Sequence, residues 1–532
     1  MEEIQTIMGS ETEFAIVPRF GRWPKGKEAN RISQFLSNLD YLLNIGNRDN
    51  ELIDEMFKKA NWWNEKINET EKNEIARILG LTGQYTLNGS RIYVDGAHPE
   101  YSTPECSSPL ELIAYEKAGA ILMSLAVEET AIRLNSKADL LKNNWDYHEA
   151  SYSCHENYLI SRQLFHKLVS EFSWKLWRYP SSTEQVIWIA HLLTRQIFTG
   201  SGRLNITEKW PKCFSLSQRS PFIKYLETLD TTYARAIVNT RNRPYADAAK
   251  FARLHVICGD SNIADWSNLI KYGASCLTLM MLEDVLKKKI NIPEIERYIF
   301  TDKPEEIFSL VEKPEMKLET KKSKESVLGL QLMILMDVMR WLEYKKANGE
   351  TIIPWAETVV AHWAYAIDAM TADQSKLDDK FDYRIKRKMF EEKIGTGRNL
   401  NQLRSLDYNY HIVNSQNSLF ENLVSKNFAA RIISEKAISK AIESPPDSRA
   451  RLRSLLIKHF AENKKTYRTT WHHIFIEKGG RQEISEETIE LPDPRNPYIF
   501  KASSKTEILI EQILAEAETS DSANNKNGKE NK

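Results

Sequence analysis

Short runs that alternate apolar and polar residues are spread over the first half of the chain. TEFAIVP, SRIYVD, SYSCHENYLI and ARAIVNTR show the two-residue period that is typical of β-strands. Between them, LELIAYEKAGAILMSLAVEETAIRL repeats its apolar positions with helical spacing. This mixture predicts an α+β fold in which helices cover one face of a sheet.

The later pattern predicts further divisions. An insertion from about Pro18 to Thr86, with helical periodicity in ISQFLSNLDYLLNI and ELIDEMFKKANWW, separates the first two strands, and a connection this long usually has its own structure or function. Residues 303–326 are rich in Lys, Glu and Pro and predict an exposed linker. VLGLQLMILMDVMRWL, which begins at Val327, is too short to span a membrane and predicts a buried helix.

Three regions result. Residues 1–443 are predicted to form a large domain. Residues 444–515, with PPDSRARLRSLLIKHF and a strand pair around TYRTTWHHIFIEKGGRQEISEETIEL, predict a small C-terminal domain. Residues 516–532, which include the low-complexity stretch SDSANNKNGKENK, predict a disordered tail.

Charge and cysteine content narrow the classes of function. The chain of 532 residues has 73 Lys and Arg against 73 Asp and Glu, so no global basic field would attract nucleic acid. Five cysteines without a CxxC pair fit neither a disulfide framework nor a zinc ribbon, and predict reduced thiols. The first residues, MEEIQTIMGSETEF, have no apolar signal segment, so we expect a cytoplasmic protein without a membrane partner.

Two acidic residues lie on one side of the first predicted strand. Glu11 and Glu13 in GSETEF are two apart, so their side chains project to the same face. Adjacent carboxylates repel unless a cation lies between them, and magnesium prefers oxygen ligands. On this motif alone, an edge strand with two solvated glutamates fits equally well.

A second cluster lies in SRIYVDGAHPEYSTPEC. Arg91, Tyr93 and Asp95 alternate with apolar residues and therefore share a face. An aspartate beside a metal and a phosphate is a candidate base or nucleophile. His98 is a candidate ligand, although a single histidine in a loop more often makes a structural hydrogen bond.

A third strand and a set of arginines complete the candidate site. His155 and Asn157 in SYSCHENYLISR share one face, while Glu156 points to the other. Guanidinium groups suit phosphate oxygens, although surface salt bridges are the alternative for each arginine. The arginines are Arg203, Arg219, Arg241, Arg243 and Arg253.

Taken together, these motifs resemble Pup ligase and its relative the Pup deamidase/depupylase, which share the glutamine synthetase-like carboxylate-amine ligase fold. The resemblance rests on GSETEF, NGSRIYVDGAHPEYSTPEC, SYSCHENYL, SLSQR, VNTR, RLHVICGDSN, PPDSRARLR and TTWHHI. It implies a large domain built on an antiparallel sheet with helices on one face, plus a small C-terminal domain. It also implies ATP or ADP and magnesium as cofactors.

The resemblance assigns roles to matching positions. It implies magnesium ligands at Glu11, Tyr93 and Glu100. It implies ATP contacts at Arg91, Thr103 and Trp471. Asp95 matches the family's catalytic aspartate. The shared strand faces add Glu13 and His155 to the metal site, and the arginine set adds Arg203, Arg219 and Arg241 to the ATP site.

The two branches of this family run different chemistry on one site. A deamidase/depupylase cleaves the amide at the C-terminal side chain of Pup, a small disordered modifier, whereas a ligase joins that side chain to a target lysine through an acyl phosphate. DGAHPE, HENYLISRQ and the long insertion resemble the hydrolase branch. RIKRKMF, RARLR and LPDPRNP resemble the ligase. Because the chemistry lies in the N-terminal strands, we expect the hydrolase.

One segment departs from the family pattern. The family's TRDEPHAD stretch is TRNRPYAD here, so an acidic loop has become basic at Asn242 and Arg243, and Tyr245 replaces a histidine. This change leaves room for a related modifier in place of Pup, and for a catalytically silent protein that only binds it. A small-molecule ligase on the same scaffold is disfavoured by the C-terminal motifs.

Overall fold

The computed structural model describes residues 7–20, 84–95, 98–133, 135, 137–146, 150–169, 182–205, 210–395, 399–413, 418–463, 465, 467–478 and 485–527. The two helical patterns expected between Pro18 and Thr86 lie outside the described residues.

The strands are β1 Met8–Glu13, β2 Ala15–Phe20, β3 Gln84–Tyr85, β4 Arg91–Asp95, β5 His98–Ser102, β6 Lys137–Leu141, β7 Cys154–Ser161, β8 Arg203–Leu204, β9 Phe214–Ser215, β10 Tyr225–Thr228, β11 Ala236–Asn239, β12 Phe251–Val256, β13 Lys317–Glu319, β14 Lys324–Ser326, β15 Tyr467–Thr469, β16 His473–Lys478 and β17 Ser485–Glu490.

The helices are α1 Pro109–Arg133, α2 Arg162–Leu168, α3 Thr183–Thr194, α4 Gln196–Thr199, α5 Asp265–Leu286, α6 Pro304–Phe308, α7 Val327–Ala347, α8 Ala356–Ala372, α9 Asp382–Gly395, α10 Leu400–Tyr410, α11 Leu419–Ser425, α12 Glu435–Glu443, α13 Arg449–Glu462 and α14 Ser504–Asn527. Single 3-10 turns lie at Ser220–Phe222, Ile295–Tyr298 and Gln374–Leu377.

The centre of the fold is an antiparallel sheet of six strands in the order β12-β7-β1-β5-β4-β3. Strand β1 shows why the sheet has two different faces, since Met8, Ser10 and Thr12 are buried while the alternate residues are partly open. Helices α1 and α5 pack against the buried face. The expected α+β class, an antiparallel sheet with helices on one face, is confirmed.

A large apolar core lies beneath that sheet. It joins α1, α3, α5, α7 and α8 and includes the fully buried rings of Trp188, Trp341 and Trp363. The alternation in β7 also places Glu156 in this interior, where Arg195 forms a bidentate ion pair with it at 2.5 and 2.8 Å. A buried charge of this kind is tolerated only when it is paired, so this contact fixes α3 against the sheet.

The structure differs from two sequence predictions. Residues 303–326 are not an exposed linker, because α6 and the β13–β14 hairpin are ordered and bury Ile307, Phe308 and Leu318. Helix α14 extends through residue 527, into the predicted disordered tail. Helix α7 is present as predicted and its inner face is buried in the core, while Met336 is exposed on its outer face.

The C-terminal part has its own small apolar cluster. Helix α13 contributes Leu452 and Leu456, the β15–β17 sheet contributes Ile474 and Ile489, and α14 contributes Ile510. The domain limits at residues 443 and 515 stay predictions. Within the described part of the chain, every helix is too short or too polar to cross a membrane.

Candidate active site

The open face of the central sheet is lined with charged residues. Glu11 in β1 lies opposite His155 in β7, and His155 Nδ1 is 3.0 Å from a Glu11 carboxylate oxygen. Asn157 Nδ2 donates to Glu11 at 3.2 Å, and Arg253 Nη1 donates to it at 3.0 Å. Three side chains from two neighbouring strands therefore converge on one carboxylate, as the alternation in these strands predicts.

These contacts set the ionisation of Glu11. Burial alone would raise its pKa, but His255, the hydrogen bond from His155 and the charge of Arg253 hold the pKa well below its usual range. Glu11 is therefore ionised at neutral pH and is available as an anionic ligand.

A second group of carboxylates lies one step further along β1. Carboxylate oxygens of Glu13, Asp95 and Glu100 all lie within 4.8 Å of one another. The pairing of β1 with β5 and of β5 with β4 causes this approach, because Glu13 and Tyr93 are both opposite Glu100. The Tyr93 hydroxyl donates to Glu100 Oε1.

Electrostatics within this group favour a bound cation. Burial, together with Glu11 and Glu13, raises the pKa of Glu100 well above its usual value. Burial and the charge of Glu13 also raise the pKa of Asp95. Glu100 Oε2 is buried, and it has no hydrogen-bond partner among the described residues. An oxygen-preferring divalent ion would relieve both the repulsion and the unpaired oxygen, so these residues fit magnesium.

The structure divides the five predicted metal ligands into two groups. Glu13, Glu100 and Tyr93 lie with Asp95, whereas Glu11 and His155 form a separate group with His255. Ligand atoms of this second group also lie within 4.8 Å of one another. A mixed carboxylate and imidazole set suits a divalent cation, although it is less selective for magnesium than oxygen ligands alone.

A cavity opens beside Glu11, at the end of the sheet away from Asp95. Its lining includes two of the three ATP contacts that the resemblance implies, Thr103 and Trp471, together with Glu11, Tyr245 and Arg253. The Thr103 hydroxyl accepts from the Ser10 backbone N–H at 2.9 Å, which fixes the loop after β5 against β1. Aromatic rings beside charged groups are suited to binding a nucleotide base and its phosphates.

The other predicted ATP residues do not line this cavity. Arg91 lies over the Tyr93 ring at 4.4 Å, and Arg203 lies over the Trp145 ring at 4.2 Å. Arg219 is fully buried and donates to the Cys154 carbonyl at 2.7 Å. Arg241 is near the carboxylate groups, since its charge partly offsets the rise in the pKa of Asp95 that burial and Glu13 cause.

Sequence reasoning missed His255 of this face and the partners of Glu105. His255 lies opposite Asn157, and its alternation with Arg253 in RLHVICGDSN was the available signal. Glu105 receives hydrogen bonds from Arg449 and Arg453 of α13 at 2.7 to 2.9 Å. No local pattern in the sequence indicates the contact of Glu105 with these arginines, because Arg449 lies 344 residues and Arg453 lies 348 residues after Glu105.

The antiparallel sheet and its carboxylate-lined face are those of a carboxylate-amine ligase-like protein. Comparison with known proteins defines the family. Residues 6–475 match the family model described as Pup-ligase protein. The chain therefore belongs to the Pup ligase family.

Curated relatives carry two different names. The Pup deamidase/depupylase of Mycobacterium tuberculosis is 30% identical over 450 residues, which cover 82% of this chain and 84% of the relative. A Pup–protein ligase of Jonesia denitrificans is also 30% identical, over 457 residues that cover 84% of this chain and 90% of the relative. Sequence identity alone therefore does not separate the two activities.

Solved structures extend the comparison to the fold. The complex between prokaryotic ubiquitin-like protein Pup and its ligase PafA matches with a TM-score of 0.71 and 25% identity, covering 96% of this chain and 92% of the other. PafA in complex with ADP matches with a TM-score of 0.65 and 27% identity, covering 85% and 95%.

Proposed function

We propose that this protein is a Pup deamidase/depupylase, an ATP- or ADP- and magnesium-dependent enzyme that cleaves the amide at the C-terminal side chain of Pup or of a closely related modifier. The observation that carries this proposal is the group of Glu13, Asp95 and Glu100 on the same sheet face as the cavity of Thr103 and Trp471. Membership of a family whose relatives carry this activity in their names supports it.

Cofactor binding would use both parts of this face. Glu13, Glu100 and Tyr93 would hold magnesium at one group, and Glu11, His155 and His255 would hold a second cation. When bound, the cations neutralise the carboxylates and polarise substrate oxygens. Thr103 and Trp471 would bind the nucleotide, and ADP bound to a PafA of known structure supports this use.

Asp95 is the proposed catalytic residue because its raised pKa makes it a better proton acceptor than an ordinary aspartate. Its carboxylate takes a proton from a water molecule, whose oxygen then attacks the side-chain carbonyl carbon of the modifier. As the carbon–nitrogen bond breaks, Asp95 returns the proton to the departing nitrogen. Ammonia leaves from a terminal glutamine, and the lysine amine leaves from a conjugate.

A Pup ligase is the second candidate, favoured by the match to the Pup–PafA complex over 96% of the chain. In that direction, the terminal glutamate of the modifier would take the terminal phosphoryl group of ATP, and ADP would be the leaving group. Asp95 then takes a proton from the target lysine amine as that nitrogen attacks the acyl phosphate. A new amide forms, and phosphate leaves.

A paired assay tests the two directions. The protein is incubated with ATP and magnesium and with Pup that ends in glutamine or in glutamate, the latter with lysine-bearing targets. We expect ammonia release from the first and no conjugation of the second. Asp95→Asn, which keeps the side-chain size, should abolish turnover.

The reverse result, conjugation without ammonia release, would replace the hydrolase by the ligase. Inertness toward both peptides and toward a Pup conjugate would leave the silent modifier-binding protein as the remaining function. Asp230→Asn in the β10–β11 loop serves as a matched control, because Asp230 caps a turn through the Thr232 and Tyr233 amides.

A further inference from the structure

A second cavity lies beyond the carboxylates, on the side away from Trp471. It has a volume of about 330 Å³, and its lining includes Ala15, Val17, His98 and Tyr152. One water molecule occupies about 30 Å³ of liquid, so this cavity has room for a long side chain.

Register places this cavity directly beside Asp95. His98 is the partner of Asp95 in the β4–β5 pairing, and opposite residues of an antiparallel pair project to the same face. The His98 ring stacks on Tyr152 with 4.1 Å between ring centroids. His98 lines the cavity, so the end of the cavity at His98 is the end nearest to Asp95.

The chain segment of β1 and β2 runs from the first cavity, past the carboxylates, to the second cavity. Glu11 lines the first cavity, Glu13 belongs to the carboxylate group, and Ala15 and Val17 line the second cavity. The four residue-to-residue steps of extended chain from Glu13 to Val17 span roughly 13 Å. The reacting groups thus lie between two separate binding spaces, as an enzyme with a nucleotide and a second substrate requires.

The lining of the second cavity suits an alkyl chain with a nitrogen at its inner end. Ala15, Val17 and Leu141 provide an apolar wall, and aromatic rings at His98 and Tyr152 favour the methylene groups and a cationic head. Asp146 is exposed at the rim, so carboxylates lie at both ends of the space. Arg404 is a cationic residue of the lining, and its side chain is also exposed.

We propose that this cavity holds the lysine side chain whose nitrogen is joined to, or released from, the modifier. The inference rests on the proposed function and names its second substrate. A lysine side chain reaches about 6 Å from Cα to its nitrogen. With that nitrogen near Asp95, the target backbone would lie near Ala15, between the inner end of the cavity and Val17.

A comparison of lysine and ammonia substrates tests this assignment. Val17→Trp fills the cavity, and Asp146→Asn removes the charge at its rim without changing its shape. We expect Val17→Trp to lower kcat/KM for cleavage of a Pup–lysine conjugate at least tenfold, while ammonia release from glutamine-ending Pup falls less than threefold. Because the isopeptide nitrogen is uncharged, Asp146→Asn should leave KM for the conjugate unchanged and should weaken the binding of free lysine, whose amine is cationic. Met336→Trp, on the exposed face of α7, is the control for the bulky substitution.

If the enzyme runs as a ligase, we expect the same difference between a large and a small acceptor. Val17→Trp should then lower kcat/KM strongly for a lysine acceptor and little for hydroxylamine. Equal losses for large and small nitrogen partners, or no loss for either, would overturn the assignment. The thermal unfolding of Val17→Trp should match that of the wild type. This match would show that a loss of activity comes from the filled cavity and not from misfolding.

Direct binding gives a readout that does not need turnover. Saturation-transfer NMR with Nα-acetyl-lysine amide should show contact with the wild-type protein and lose it in Val17→Trp, whereas Nα-acetyl-alanine amide should give little signal. Absence of a lysine signal in the wild type would refute the cavity assignment even if the protein is active. A lysine signal without any turnover would refute the proposed function and leave the binding site intact.

Discussion

Replacement of Glu105 by Gln tests how helix α13 is held on the central sheet. Burial alone would raise the pKa of Glu105, but Arg453 and Arg449 lower it from 4.5 to about 2. This difference corresponds to about 3 kcal/mol of stability at neutral pH. Glu105→Gln keeps the size of the side chain and removes the charge, so we expect the free energy of unfolding at pH 7 to fall by about 3 kcal/mol.

The pH dependence identifies the cause. A carboxyl with a lowered pKa stabilises the fold above pH 4.5 and loses that effect as the pH falls toward 2. The difference in the free energy of unfolding between wild type and variant, measured with urea, should therefore be about 1.4 kcal/mol smaller at pH 3.5 than at pH 7. Equal stability at pH 7, or a gap that stays constant down to pH 3.5, would refute the reasoning. Glu357→Gln on the exposed side of α8 is the control.

Three further predictions concern the site and its surroundings. Burial raises the pKa of Glu312 to about 7, so its charge costs stability as the pH rises from 4.5 through 7. Glu312→Gln should therefore stabilise the protein by about 3 kcal/mol at pH 8 and have little effect at pH 4.5 in thermal unfolding. Trp471→Ala should weaken binding of a fluorescent ATP analogue about tenfold, as loss of one stacking contact predicts, whereas Arg468→Ala should leave it unchanged. His255→Gln should raise the magnesium concentration for half-maximal turnover at least tenfold, and an unchanged magnesium titration would contradict a cation site at Glu11.

Much of the fold was accessible from periodicity. The long helix α1 and strands β4, β7 and β11 lie where the apolar patterns predict them, because each pattern reports which side of an element is buried. The segment 303–326 was misread, because its many Lys and Glu residues conceal the few apolar residues that reach the core. Composition averages over a segment, whereas burial is decided residue by residue.

The sequence by itself determined which side chains share a face. Glu11 with Glu13, and His155 with Asn157, follow from the two-residue period of a strand, which depends on local backbone geometry alone. The motif resemblance added the roles of these residues and the family.

Only the tertiary structure decided which faces meet. The order of β12, β7, β1 and β5 brings Glu11 to His255 and Glu13 to Glu100, and it thereby divides one expected metal site into two groups. The docking of α13 onto Glu105 and the second cavity at Val17 likewise join segments that are distant along the chain. Such contacts depend on the packing of whole elements, and no local pattern of residues contains that information.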